Sequence, residues 1–428
     1  MLMPSDRFRW VYCQLDNLRR CMPSSIRKAL NELPVTLDDT YERILQNIPK
    51  QKWQHAHRLF QCMVAARRPF RVEELAEIFA IEVGPNATPS LVEDWRPANP
   101  EEAVLSACST LIAIIDDEGS KIVQFSHFSV KEYLTSDRLQ TSDVPNICQF
   151  FVPLEPAHTI LARACLVVLL QLEENMDEER LATFPLAGYA ARNWVDHAKF
   201  ENVASQIQNA MEDLFNPIKH HLWTWIRMHN VDYNTFIGDS PPKPTLALYY
   251  AAFCGFSILA RHLIVMHALD VNAKNGYVRW SPLHAVSRGG HVDVAQVLLD
   301  YGADINAQDL HDQTPLSWAS SEGHLKVAQL LLEHGANVNM QNNYNHYTSL
   351  HSASMSGKLE VARLLLDHGA GVHIRGDGDV TPFQLATTYG HHDIAQLLLD
   401  RGAERDGGMG VGVDGEEKGG EGRSTQIL

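Results

Sequence analysis

The stretch TPLSWASSEGHLKVAQLLLEHGA, residues 314–336, decides the fold, because related stretches recur along the chain at a nearly constant spacing. Its opening frame returns at residues 281, 348 and 381, which gives steps of 33, 34 and 33 residues. Its closing Gly-Ala keeps the same register and ends at residues 303, 336, 370 and 403, and a degenerate fifth copy begins near residue 246. Self-similarity at this period indicates a repeat architecture.

Each copy predicts a pair of short helices. Thr314 is suited to cap the first helix, and Pro315 suits its first position, where a missing N–H costs no hydrogen bond. Gly323 is expected to end that helix, and Gly335 is expected to end the second one in the left-handed conformation. Because two helices of this length cannot bury their apolar faces alone, neighbouring copies are expected to stack.

This pattern resembles the ankyrin-repeat family over residues 246–404, with five repeats that start near residues 246, 281, 314, 348 and 381. The resemblance implies a concave surface for protein partners, formed by the loops between repeats and the first helices. It places the variable, partner-facing positions at Gln308, Leu310, His311, Tyr344, Asn345, Tyr347, Met355, Arg375, Asp377 and Tyr389. Interfaces are enriched in tyrosine, methionine and arginine, so the best candidates for anchors are Tyr344, Tyr347, Met355, Tyr389 and Arg375.

Two histidines of the repeats, His284 and His351, belong to the Thr-Pro-Leu-His motif of that family. The resemblance implies a structural role for their imidazole rings. The alternative is a metal site, but the spacing of these histidines follows the repeat, and no cysteine or carboxylate cluster accompanies them. We therefore expect no metal.

The N-terminal half predicts helices and one β-hairpin. Amphipathic helices are expected between residues 8 and 80, and Thr36 with Asp39 forms an N-cap pair before one of them. Two β-capable runs, residues 105–115 and 122–125, flank an acidic glycine turn. This hairpin, followed by a helix through residues 130–134, is typical of the wing of a winged-helix unit.

Four stretches make a second resemblance specific: FRWVYCQL (8–15), LPVTLDDTYERIL (33–45), RPFRVEELAE (68–77) and HFSVKEYL (127–134). They resemble the region that follows the nucleotide-binding core in fungal NACHT–ankyrin proteins, which are signalling ATPases related to NOD-like receptors. Trp194 and His197 also resemble the helical linker of those proteins. The resemblance covers nearly all of residues 8–404 and implies an innate-immunity-like signalling role, in which the repeats sense a ligand and the NACHT module oligomerises.

The phosphate-binding loop on which nucleotide hydrolysis in that family depends is not found in this sequence. A phosphate-binding loop needs a lysine followed by serine or threonine, and none of the twelve lysines has that neighbour. The core would precede Phe8, so we expect a NACHT-less relative or a piece of one, without ATP hydrolysis. His127 resembles a winged-helix histidine that contacts nucleotide in related ATPases, but without the core we expect it to be packed and hydrogen-bonded.

The sequence also lacks the motifs of other common enzyme classes. Neither Gly-x-Ser-x-Gly nor His-Glu-x-x-His occurs, and the formal Gly-x-Gly-x-x-Gly that begins at Gly410 follows no predicted strand. We therefore predict no catalytic residue and no cofactor. Seven cysteines without a Cys-x-x-Cys pair indicate neither a disulfide framework nor a zinc site, so a reduced, cytoplasmic protein is expected.

Net charge and hydropathy limit the classes of partner that the sequence predicts. The 428 residues carry a net charge of −16, although residues 1–80 are basic, with thirteen Lys/Arg against nine Asp/Glu. DNA binding is therefore kept only as a third hypothesis, through Arg19-Arg20 and Arg67-Arg68. The most apolar stretch, residues 164–170, is far shorter than the roughly 20 residues of a membrane span, and no secretory signal is expected.

The sequence thus predicts a mainly α protein in four segments: a winged-helix-like region (1–136), a helical linker (137–245), an ankyrin-repeat solenoid (246–404) and a disordered acidic tail (405–428). Ile394 and residues 397–399 repeat the internal apolar pattern, so we expect an array cut short or a last face that meets a partner. The predicted function is that of a non-catalytic adaptor or sensor, with a piece of a nucleotide-driven receptor as the alternative. The oligomeric state stays open.

Overall fold

The computed structural model describes residues 36–82, 90–174, 176–229, 246–275 and 278–405. The helices expected before residue 36, the proline-rich break at residues 241–244 and the tail from residue 406 onward lie outside the described residues. The chain divides between Ala303 and Asp304 into two compact units. This division falls within the repeats, and the two units are described separately.

The described part of the first unit starts with a winged helix, in which helices alternate with short strands. They are α1 (Leu37–Gln46), α2 (Trp53–Ala65), β1 (Phe70–Arg71), α3 (Val72–Phe79), β2 (Ile81–Glu82), β3 (Ser90–Leu91), α4 (Pro100–Cys108), β4 (Ile112–Asp117), β5 (Ser120–Phe125) and α5 (Phe128–Leu134). The expected N-cap pair is present: Thr36 Oγ1 accepts from Asp39 N–H at 3.0 Å, and the Asp39 carboxylate accepts from Thr36 N–H at 3.2 Å.

The hairpin forms the wing. β5 pairs with both β4 and β1 in an antiparallel three-stranded sheet, in the order β1-β5-β4. Asp117 pairs with Ser120, so the turn has two residues, Glu118 and Gly119, at φ values of 47° and 86°. A two-residue turn with both φ angles positive has the twist that hairpin strands need.

The start of the first strand was predicted wrongly. Residues 105–108 belong to α4, and the strand begins only at Ile112. Two local features favour the helix: the Asn99 side chain accepts from Glu102 N–H at 3.2 Å, and Pro100 occupies the first helical position. Capping therefore overrides the β propensity of the apolar residues that follow.

A helical segment completes the first unit together with two repeats. Its helices are α6 (Asp137–Gln140), α7 (Leu154–Gln171), α8 (Glu178–Leu181), α9 (Ala187–Ala198), α10 (Val203–Gln206), α11 (Gln208–Leu214) and α12 (His221–His229). The repeat helices are α13 (Leu246–Cys254), α14 (Ser257–His267), α15 (Pro282–Gly289) and α16 (Val292–Asp300). Helix α7 packs mainly against α9 and α2.

Helix α7 corrects the expected length of the apolar stretch. It extends over 18 residues, and within the described part of the chain it alone is long and apolar enough to cross a membrane. Length and composition are weak evidence for a span, because a core helix of a globular protein passes the same test. Of this helix, 61% is buried inside the protein, as expected for a core helix.

The second unit holds three helix pairs. They are α17 (Pro315–Glu322) with α18 (Leu325–Glu333), α19 (Ser349–Met355) with α20 (Leu359–Asp367), and α21 (Pro382–Thr388) with α22 (His392–Asp400). Each pair packs on its neighbour in this unit. Of the four apolar residues that we expected at the end of the array, Ile394, Leu397 and Leu398 are buried where α22 meets α20 and α21, and Leu399 is half-buried.

Within each unit, histidines of the Gly-His motif tie one repeat to the previous one. The Nε2 atom of His291 lies 3.1 Å from the Phe253 carbonyl oxygen, and that of His391 lies 3.1 Å from the Met355 carbonyl oxygen. Each ring covers a glycine of the previous repeat. At the equivalent position the chain has Lys358, whose side chain covers Gly323. An ammonium on a flexible stem does not reproduce the imidazole hydrogen bond.

We expect Lys358→His to stabilise the second unit by about 1 kcal/mol, because an added imidazole can donate to the Ser321 carbonyl oxygen. Hydrogen-exchange mass spectrometry should show about fivefold slower exchange in α19 and α20. Lys326→His, at an exposed position of α18, is the matched control and should leave exchange unchanged. Equal protection in both variants would contradict the expected hydrogen bond.

Candidate partner-binding surface

Three connections of the second unit, which we call fingers, carry the predicted contacts: residues 308–313, 341–347 and 375–380. The first finger is held by Asp309, which is 5% exposed. Its Oδ1 accepts from the N–H groups of His311 and Gln313 at 2.8 and 2.9 Å, and its Oδ2 accepts from Trp318 Nε1 at 3.0 Å. A carboxylate with three donors fixes this turn before any partner arrives.

The second finger repeats this arrangement with an amide. Asn342 is 2% exposed, and its Oδ1 accepts from the N–H groups of Asn345 and Tyr347, each at 3.1 Å. The third finger joins the second, because Asp377 N–H donates to the Asn345 carbonyl oxygen at 2.9 Å. Asp377 also contacts His346, with Oδ1 2.6 Å from Nδ1. Asn345 and Asp377 therefore brace the fingers.

An exposed aromatic group stands at the tips of the first two fingers. Tyr344 is 72% exposed and meets the ring of His311 edge to face, with centroids 5.7 Å apart. Leu310, beside His311 in the chain, is 39% exposed. We call Leu310, His311 and Tyr344 the finger-tip cluster. An exposed aromatic residue on a rigid turn loses little conformational entropy on binding, as good interface anchors do.

Tyr347 has a different role from the one predicted for an anchor. Its ring stacks on His351, with centroids 5.0 Å apart and planes 9° apart, and it lies against Gly376. A Cβ atom at Gly376 would come within 2.5 Å of the Tyr347 ring, so glycine is required there. Burial raises the pKa of Tyr347. The side chain supports the second finger from below.

The remaining predicted positions are spread along the first helices and the third finger. Tyr389, directly after α21, is 56% exposed, whereas Met355 is half-buried. Arg375 is exposed, with its guanidinium 3.9 Å from the Asp379 carboxylate. Gln308 is half-buried at the base of the first finger.

Two positions of this surface were missed from the sequence. Glu322 and Thr388 are exposed at the ends of α17 and α21. In the repeat register, Glu322 corresponds to Tyr389, and Thr388 corresponds to Met355. Comparing equivalent positions in all repeats would have included both.

The two motif histidines are structural. His351 Nδ1 accepts from Thr348 N–H at 3.1 Å and lies 2.9 Å from Thr348 Oγ1, while Nε2 lies 3.2 Å from the Val380 carbonyl oxygen. His284 makes the equivalent contacts with Ser281. Burial lowers the pKa of His351 to about 4, so the ring is neutral at pH 7. No group of three or more metal-ligating side chains occurs among the described residues.

This histidine predicts an acid-sensitive second unit. An unfolded histidine titrates near pH 6.5, so between about pH 6.5 and 4 the unfolded chain binds a proton that folded His351 does not. The free energy of unfolding should therefore decrease as the pH is lowered over this range, by up to about 1.4 kcal/mol per pH unit. Gln384 already makes the equivalent cap, with Oε1 accepting from Thr381 N–H at 2.8 Å.

His351→Gln should accordingly cost about 1 kcal/mol at pH 7, because the bond to Val380 is lost. The difference from the native chain should vanish near about pH 6 and reverse in sign by pH 4.5, because the native chain then loses about 2.5 kcal/mol and glutamine does not titrate. Urea denaturation followed by circular dichroism at both pH values measures this. A difference that stays constant with pH would show that His351 is not the titrating group.

A buried polar chain connects the winged helix to the helical segment of the first unit. Arg67 N–H donates to Tyr189 Oη at 3.2 Å, and Tyr189 Oη lies 2.8 Å from His197 Nε2. His197 Nδ1 lies 2.8 Å from His158 Nδ1. Because the tyrosine oxygen already accepts from Arg67, its own proton is free for His197, which then donates to His158. Burial lowers the pKa of His197 to about 3 and that of His158 to about 4.

Tyr189→Phe should therefore destabilise the first unit by about 1–3 kcal/mol, because His197 Nε2 is left buried without its partner and Arg67 N–H loses its acceptor. The urea midpoint of the full chain is the measurement. Tyr301→Phe, which removes a hydroxyl from a side chain that is 39% exposed, is the matched control. Equal midpoints for the two variants would contradict this role of the hydroxyl.

The wing and the helix before it carry several acidic residues. Helix α4, directly before the wing, carries Glu101 and Glu102, and the turn carries residues 116–118, all acidic. The ammonium of Lys121 is paired with Glu101 at 2.5 Å. His127 caps α5, with Nδ1 2.6 Å from Ser129 Oγ, which in turn lies 2.8 Å from Tyr41 Oη.

Comparison with known families identifies both architectures. The family model described as ankyrin repeats (3 copies) matches residues 248–342 and 336–406. The one described as GPI inositol-deacylase, winged helix domain, matches residues 41–144. The chain therefore contains ankyrin repeats and a winged-helix domain, and its fold is mainly α.

Three curated proteins are similar over parts of their length. Azaphilone pigments biosynthesis cluster protein L of Monascus ruber is 34% identical over 302 residues, which cover 64% of this chain and 61% of that protein. Alpha-latrocrustotoxin-Lt1a of Latrodectus tredecimguttatus is 33% identical over 98 residues, 23% of this chain and 6% of the toxin. Serine/threonine-protein kinase VIK of Arabidopsis thaliana is 43% identical over 53 residues, which cover 12% of this chain and 11% of the kinase. The chain thus spans less than two thirds of each.

Proposed function

We propose that this protein is a non-catalytic adaptor whose second unit binds a protein partner through the concave ankyrin surface. The observation that carries the proposal is the finger-tip cluster, in which Tyr344 is 72% exposed on a finger fixed by hydrogen bonds to the buried Asn342 side chain. Ankyrin repeats generally mediate protein–protein interaction, and the cluster gives this surface an aromatic anchor. Tyr389 extends the contact along the first helices.

Two further features support a binding role over catalysis. His158, His197 and Glu77, whose pKa values are shifted by burial in the first unit, are bonded to neighbouring protein atoms. Burial raises the pKa of the Cys62 and Cys254 thiols to about 12, which makes them poor nucleophiles. Free buried thiols also fit the reducing cytoplasm, where we place the protein.

Photo-crosslinking tests the surface directly. We expect p-benzoylphenylalanine at Tyr344 to capture a protein partner in cells, whereas the same group at Gln329, exposed on α18, captures none. Against the partner so identified, the double variant Leu310→Ala, Tyr344→Ala should raise Kd at least about tenfold, since anchor residues contribute 1–2 kcal/mol or more. Gln329→Ala is the control. Equal Kd values for both variants would overturn the proposal.

A second candidate follows from the winged helix, which relates residues 41–144 to a domain found in NACHT-type proteins. In this case the chain acts as one piece of a nucleotide-driven signalling receptor of fungal type. Sequencing the transcript upstream of Met1 tests it. An in-frame Gly-x-x-x-x-Gly-Lys-Ser/Thr supports the receptor, and a stop codon without it supports the adaptor.

The acidic wing and α4 argue against the third candidate, DNA binding. Residues 101, 102 and 116–118 would face phosphates of the same charge if the wing and its preceding helix entered a groove. We expect no shift of duplex DNA in fluorescence anisotropy at low salt. Binding that falls steeply with salt would instead support a DNA-binding role.

A further inference from the structure

A cavity of about 580 Å³ opens in the first unit. It is lined by the start of α3, by α8, by the start of α9 and by Met228 of α12. This volume falls in the range of small-molecule pockets. The adaptor function does not use it.

The floor of the cavity is largely apolar around one neutralised ion pair. Arg68 binds Glu74 through two hydrogen bonds, of 2.6 and 2.7 Å, and the guanidinium lies over the Tyr189 ring. Glu74 is 3% exposed, so this pair is fixed and its charges cancel. The apolar lining consists of Leu181, Ala182, Phe184, Pro185, Ala187 and Met228.

The rim carries four exposed charges of both signs: Arg71 and Arg192 are cationic, and Glu73 and Glu178 are anionic. None of the four forms an ion pair with a described residue. Two cations and two anions around one apolar floor favour neither a simple anion nor a simple cation. They are complementary to a ligand that carries both charges on an apolar body.

We propose that this cavity binds a zwitterion of the α-amino acid class with an apolar or aromatic side chain. Arg71 and Arg192 would hold the carboxylate, since guanidinium groups match its geometry. Glu73 and Glu178 would hold the ammonium, and the side chain would lie on the apolar floor. Gly188 borders the cavity without a side chain, and a Cβ built there meets no atom within 4 Å.

The test uses three probes that share a phenyl ring: L-phenylalanine, 3-phenylpropanoate without the ammonium, and phenethylamine without the carboxylate. Titration followed by saturation-transfer NMR on the full chain measures the three Kd values. We expect L-phenylalanine to bind about tenfold more tightly than either analogue, because two sets of charge-assisted hydrogen bonds form. Equal Kd values, or no binding of any probe at millimolar concentration, would overturn the proposal.

Variants assign each charge. Arg71→Ala with Arg192→Ala should weaken L-phenylalanine to the level of phenethylamine and leave phenethylamine unchanged. Glu73→Gln with Glu178→Gln should weaken the binding of L-phenylalanine to the level of 3-phenylpropanoate.

Gly188→Leu should occupy part of the cavity and weaken binding of all three probes, and the exposed Arg363→Ala of the second unit is the control. Circular dichroism confirms that each variant is folded. Unchanged binding by folded Gly188→Leu would place the probes elsewhere and overturn the site. None of these results depends on the protein partner of the second unit.

Discussion

The structure depends on one constraint: a helix of seven to nine residues has too little apolar surface to be stable unless another helix covers it. The helix pairs of the second unit meet this constraint by packing on one another, with Leu316, Val327 and Leu331 buried between helices. Stacking fixes the helices, and the helices fix the ends of every finger. The capping hydrogen bonds of Asp309 and Asn342 then need to order only a few residues each.

The winged helix and the helical segment meet the same constraint differently. Here α7, with 18 residues, supplies a long apolar core against α2 and α9. The polar chain from Arg67 through Tyr189 to His158 crosses this core. A buried polar chain adds little net stability, but its geometry admits a single arrangement of the helices that carry it. The first unit therefore combines a non-directional core with a directional hydrogen-bonded link.

Much of this architecture could be predicted from the sequence because repetition multiplies weak local patterns. A single Thr-Pro pair followed by a glycine often occurs by chance, but several copies at a constant spacing indicate a repeat architecture. The start of β4 could not be predicted, because capping by Asn99 competes with β propensity over residues 105–108. The roles of Tyr344 and Tyr347 could not be separated either. Both lie in one finger, and only the stacking of Tyr347 on His351 distinguishes support from exposure.

The hydrogen bond from Asp377 N–H to the Asn345 carbonyl oxygen couples the backbone of the second finger to that of the third. The step of 34 residues places one additional residue in the second finger, and Gly376 lies against it. Insertions or deletions there would disturb two connections at once, whereas Asp309 holds the backbone of the first finger, which meets the second through the His311–Tyr344 ring contact. During divergence of relatives, length changes should accumulate in the first finger, and new binding specificities should arise there first.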